Sequence, residues 1–172
     1  MSVTKAVVMF IVSICATIGY AIPVEAPKRS VVSSSLSGGV SYLLYLLIIE
    51  MNGSASFGAF LAAFLMGVLG EFFSRRYKMP ATIFIMPPLI TLVPGGGMYY
   101  MMSYLIQDNM DLFLREAVDT FSIAVALSLG IVTSGLFSKS LRSFRRRSLR
   151  HNKLYFYESR EDKIASERSV EK

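Results

Sequence analysis

The residues with chemistry to offer lie in two places. The first is Pro94-Gly95-Gly96-Gly97, which interrupts a long apolar stretch with Thr91 ahead of it and Tyr99 and Tyr100 behind it. A helix that restarts near Gly96 at membrane depth would aim free backbone N–H groups and its positive dipole end at an anionic group. A carboxylate is the natural guest there, with three hydroxyls at hand to orient it. The second place is the pair Glu116 and Asp119, three residues apart on one helical face at the start of the last apolar stretch. An acid within the membrane could carry a proton or pair with an ammonium group. The competing reading puts both at the interface, solvated or paired with Arg115. The rest of the chain offers little reactive chemistry. Cys15 and His151 are the sole residues of their types, so neither a disulfide nor a metal-ligand spacing can be formed from them. No glycine loop ends in Gly-Lys-Ser/Thr. No metal or cofactor is expected, and the chain reads as a non-enzyme.

The elements that must hold these groups are membrane helices. Hydrophobic residues make up 53% of the 172 and charged residues 17%, against about 25% charged in a soluble domain. A crossing helix needs about 20 apolar residues, and five stretches qualify: 6–24, 33–51, 55–73, 80–106 and 117–137. The fold class expected is an all-α integral membrane bundle of about five helices. Its fourth span departs from a plain helix. Pro87-Pro88 removes two backbone donors, and Pro94–Gly97 then breaks the span near its middle. Irregular backbone at that depth survives only when buried in protein or lining a watery cavity. A kinked structural helix is the plainer alternative.

Charge supplies the orientation. Residues 139–172 hold eleven Lys or Arg and five Asp or Glu, whereas residues 1–138 hold seven of each, so the whole net charge of +6 sits on the tail. This divides the chain into a transmembrane domain, 1–138, and a basic cytoplasmic tail, 139–172. Lys28-Arg29, Arg75-Arg76-Tyr77-Lys78 and the tail share one side, while 52–54 and the acidic 107–116 loop share the other. The positive-inside rule then places the N-terminus outside and the C-terminus in the cytoplasm of a multi-pass plasma-membrane protein, with Lys5 as the one dissent. The basic run Arg142 to Arg150 reads as a contact with anionic lipid, not nucleic acid. A cleaved signal peptide is the alternative for the first span, but its removal would break the alternation of loop charges.

Two rows of small residues mark packing faces. Ala59, Ala63 and Gly67 recur every four residues in the third span, and Ser122, Ala126, Gly130 and Ser134 do so in the fifth. Small side chains let membrane helices approach closely. The rows leave open whether each neighbour belongs to this chain, to a second copy or to another protein.

Three stretches carry a likeness: Gly19-Tyr20-Ala21-Ile22-Pro23-Val24 through Arg29; Phe57 to Arg75 with Gly67 and Gly70; and Pro80 to Met101 with Pro87-Pro88 and Pro94-Gly95. Here the chain resembles the C-terminal membrane half of the threonine/serine exporter family, which also occurs as a separate small subunit, as in two-component succinate exporters. The resemblance implies export of small carboxylate-bearing metabolites, coupled to the proton gradient, and a larger partner subunit carrying the other membrane half. Two functions follow. In one, the chain forms part of the substrate path at the Pro94–Gly97 break. In the other it is a scaffold that assembles the transporter without touching substrate.

Overall fold

The computed structural model describes the backbone of residues 3–51 and 53–170 and the side chains of 4–51 and 53–140. Six helices and no strand occur among the described residues: α1 Val3–Ala21, α2 Lys28–Glu50, α3 Ala55–Tyr77, α4 Thr82–Leu89, α5 Gly95–Ile106 and α6 Met110–Val170. The chain forms two compact units, Met1–Gly135 and Leu136–Lys172. Four of the helices have stretches long and apolar enough to cross a membrane: Thr4–Ala21, Lys28–Glu50, Ala55–Tyr77 and Met110–Ser140. The second helix starts at Lys28, earlier than the apolar stretch alone indicated, because Pro27 presets the entry and its carbonyl accepts from the Ser30 amide at 2.7 Å. The backbone of the tail is helical through Val170. The side chains of Arg142 to Arg150 and of His151, to which the lipid expectation was attached, lie outside the described residues.

Local signals explain the helix ends. Ser54 caps α3, its hydroxyl accepting from the Phe57 amide at 3.2 Å. Lys78 closes α3 in the left-handed region, φ 55°, and Arg75 and Arg76 favour the negative end of the helix dipole. Glu71 and Arg75 make the one-turn ion pair, 3.8 Å. Between α1 and α2 the chain turns through Pro23, with Glu25 at φ 52°.

The core is built from small residues and hydroxyls. The inner face of α2 buries Ser30, Ser33, Ser34, Ser35, Ser37, Gly38, Gly39 and Ser41. Most of these hydroxyls turn back on their own helix, as Ser35 to the Val31 carbonyl at 2.7 Å and Ser37 to the Ser34 carbonyl at 2.8 Å. That satisfies them without solvent and lets α1, α3 and α4 all pack on α2. The outward side of α1, by contrast, presents Val7, Val8, Ile11, Val12 and Ile18, the surface expected against lipid acyl chains.

The pairing of α3 with α6 fixes the route of the chain. Ser56 hydrogen-bonds Ser122 at 2.6 Å, Gly130 meets Ala63 and Phe60, and Gly67 meets Ser134. Residue numbers rise together on the two helices, so they run parallel. The segment between them must therefore return across the bundle. It does so in two pieces. α4 climbs beside α3, with Phe84 stacked on Tyr77 at a centroid distance of 5.7 Å and Ile85 over Gly70. α5 completes the return to the start of α6 through a tight turn in which the Asn109 amide bonds the Tyr104 carbonyl at 3.0 Å. Neither piece is long enough to cross alone; together they lead the chain back from the end of α3 to the start of α6.

Candidate functional site

α4 ends where its donors run out. Pro87 and Pro88 are both buried in the bundle, and the Thr91 amide and hydroxyl both donate to the Pro88 carbonyl, at 3.2 and 2.8 Å. The chain passes Leu92 in the core and reaches Pro94, which has φ −77° and ψ 59° and offers no capping side chain. The Gly95 amide folds back onto the Val93 carbonyl at 2.8 Å, and the Met98 amide starts the α5 ladder on the Pro94 carbonyl at 3.2 Å. Gly96 and Gly97 are then the residues whose N–H groups stand as the orphan donors of a helix start. Nothing lies within 4 Å of where a Cβ would sit on Gly95 or Gly96. A Cβ on Gly97 would collide with the Thr120 hydroxyl of α6.

Beside this helix start is a cavity of about 750 Å³ between the break and α6, lined by Leu89, Val93, Pro94, Met98, Thr120 and Phe121 among others. Its lining is nearly all apolar and contains no charged side chain. Three hydroxyls reach it. Ser128 is spent on the Ala124 carbonyl at 2.9 Å, and Ser122 on the Asp119 carbonyl at 3.1 Å and on Ser56. Thr120 is only 7% exposed and has no side-chain hydrogen bond among the described residues. It stands against Gly97, next to the orphan donors. The charge available at this point is the α5 dipole, about half an elementary charge at the N-terminus.

The sequence-derived residues are distributed unevenly. Pro94 lines the cavity, and Gly97 reaches it through Thr120. Thr91 turns its hydroxyl onto α4. Tyr99 and Tyr100 point away, 70% and 54% exposed, and stack edge-on with each other. Asp119 is exposed and Glu116 half-buried, flanking the cavity-lining Ala117 and Val118 without entering the lining. Neither acid forms an ion pair with Arg115 among the described residues. The two small-residue rows meet each other within the chain. Ala59, Ala63 and Gly67 are buried, and Gly130 and Ser134 pack against that row while Ala126 flanks the shared core. Thr120 was not singled out by the sequence. A threonine beside Asp119 carries no periodic signal, and its relevance appears only once Gly97 is set against it.

Residues 9–137 match the family model described as Threonine/Serine exporter, ThrE. The chain belongs to that family. The match runs from α1 through the break and covers every residue that lines the cavity, while the tail lies outside it. No solved structure matches the chain. Family membership and four long apolar helices make this a multi-pass membrane protein and an exporter domain. In this member of the threonine/serine exporter family, the proline-rich α4 and the start of α5 lie beside an apolar cavity.

Proposed function

We propose that this exporter-family chain is one part of a secondary transporter that carries small carboxylate-bearing metabolites out of the cell, with the carboxylate seated at the start of α5. Threonine, serine or a dicarboxylate such as succinate shares that group. The observation that carries the reading is the uncapped helix start at Gly96 and Gly97, open on one side and faced on the other by the unspent Thr120 hydroxyl. An anionic oxygen held by two amides and a hydroxyl gains charge-assisted hydrogen bonds that water would otherwise supply. The lining gives the substrate few other polar partners, so the remaining polar contacts come from the larger subunit that bears the family's other membrane half. Glu116 and Asp119 are the groups placed to couple transport to the proton gradient. Loop charges orient the chain N-terminus out and C-terminus in at the plasma membrane, with the basic tail against anionic lipid.

The test is export from cells co-expressing both subunits, with Gly96→Leu in this one. The open space at Gly96 admits a side chain, so assembly should persist while export falls. Normal export by a normally assembled complex would remove the break from the mechanism. The second reading is a scaffold subunit, favoured by the scarcity of polar groups in the cavity. A scaffold would export normally with either Gly96→Leu or Asp119→Asn.

A further inference from the structure

A second set of unspent polar groups lies on α1 and α2, neither of which lines the cavity. The hydroxyls of Ser13 on α1 and Ser41 on α2 are sealed from solvent, the residues 3% and 0% exposed, and neither has a hydrogen-bond partner among the described residues. A buried unpaired hydroxyl is costly, and a serine in a helix ordinarily avoids this by bonding the carbonyl one turn back, as its neighbours Ser34, Ser35 and Ser37 do. The two fall at the same level. Gly38 of α2 meets Thr17 of α1, and Gly39 meets Ile14 and Phe10, so the helices run antiparallel and one turn further along brings Ser41 opposite Ser13. Thr17 ties this level to Ser13, whose carbonyl accepts its hydroxyl at 2.9 Å.

A carbonyl deprived of its usual helix donors lies one turn before the Pro88 contact. Pro88 of α4 presses on the same Gly38, its Cβ 2.9 Å from where a glycine Cβ would be and the Thr17 hydroxyl 2.7 Å from that point. The donors that would normally serve the Phe84 carbonyl, three and four residues on, are Pro87 and Pro88, which have no N–H. Phe84 is 0% exposed, so bulk solvent cannot replace them. Two hydroxyls that can donate and a carbonyl that can only accept thus flank one junction of α1, α2 and α4. No charged side chain belongs to the set, which disfavours a bare cation as the guest.

We propose that the α1–α2–α4 junction binds water: one molecule between the Ser13 and Ser41 hydroxyls, and one at the Phe84 carbonyl beside Thr17 and Pro88. Water both donates and accepts, and a buried water typically makes about three hydrogen bonds to such groups. The water at Phe84 stands in for the donors that the proline pair lacks, and so allows a Pro-Pro helix to sit in the core of the bundle, while the other satisfies the two serine hydroxyls. This site is independent of the substrate reading at α5.

Water-edited solid-state NMR of the membrane-embedded protein tests it directly. Ser13 and Ser41 signals should gain magnetisation from water as fast as exposed Ser54; build-up as slow as that of core Ala62 overturns the proposal. Melting in detergent gives an independent sign. If water bridges the hydroxyls, Ser41→Ala and Ser13→Ala each lower the midpoint by about 2–4 °C, while Ser37→Ala, whose hydroxyl serves its own helix, moves it less. A rise in the midpoint for both variants means the hydroxyls were dry, and overturns it. Midpoints should be equal in sodium, potassium and choline chloride; a rise specific to sodium assigns the site to a cation and overturns the water.

Discussion

Gly130 of α6 sits directly on the Phe60 carbonyl of α3: a Cβ there would lie 2.6 Å from that oxygen and 2.8 Å from the Ala63 Cβ. Backbone meets backbone, so a methyl group cannot be accommodated by rotating a side chain. Gly130→Ala must part the helices, and overpacking of this kind costs about 1–3 kcal/mol. The melting midpoint should fall by about 2–4 °C per kcal/mol, with export lost in proportion. Gly135 on the same helix has nothing within 4 Å of its Cβ position, and Gly135→Ala should leave the midpoint unchanged or slightly raised. Equal changes in the two variants would show that this contact does not govern the result.

Thr120 offers a sharper probe of the substrate site than the glycines do. Thr120→Val keeps the shape and removes the hydroxyl that faces the start of α5. A hydrogen bond to a charged group is worth about 1.5–3 kcal/mol, so export under subsaturating substrate should drop by about tenfold or more. Thr120→Ser, which restores the hydroxyl, should recover most of it. Both variants should melt within a degree or so of the parent, because the hydroxyl bonds nothing among the described residues. Wild-type export by Thr120→Val would place the carboxylate elsewhere.

What the sequence disclosed follows the physics of lipid. Crossing helices must be long and apolar, so α1, α2, α3 and α6 could be read from hydropathy. The break could be read because Pro87-Pro88 and Pro94–Gly97 are incompatible with one straight helix. The small-residue rows could be read by their spacing of four, but their pairing could not: Gly130 against Ala63 is a fact of three dimensions, and the rows fit a partner molecule equally well. Thr120 was hidden for the same reason. The serine face of α2 was passed over because serines in a membrane helix that bond their own backbone leave hydropathy almost unchanged. Tyr99 and Tyr100 drew notice as hydroxyls near the break, yet α5 turns them outward, since the face next to α6 is the one that carries Gly97.

Orientation can be settled by labelling. Cys15 is the only thiol, so Cys15→Ser gives a background for single cysteines. Ser54→Cys, at the start of α3, should react with a membrane-impermeant maleimide on intact cells. Lys78→Cys, at its other end, should react only after permeabilisation. Both helix ends are exposed, so access within the fold is not limiting. The reverse pattern would invert the topology and send the basic tail outside.

Asp119 separates transport from scaffolding. It is exposed, outside the cavity lining and free of ion pairs among the described residues, so Asp119→Asn should leave the fold and the melting midpoint unchanged. If the carboxylate carries a proton, the neutral amide cannot. The complex should then assemble at wild-type levels and lose its response to an imposed pH gradient, while a preloaded substrate still leaves down its own gradient. Flux measured with and without the pH gradient in proteoliposomes holding both subunits gives the answer. A response identical to wild type would remove Asp119 from coupling, leaving half-buried Glu116, one turn earlier on α6, as the acid to test next by Glu116→Gln. Should both neutral variants keep full coupling, the acids are interfacial and the proton route lies in the partner subunit.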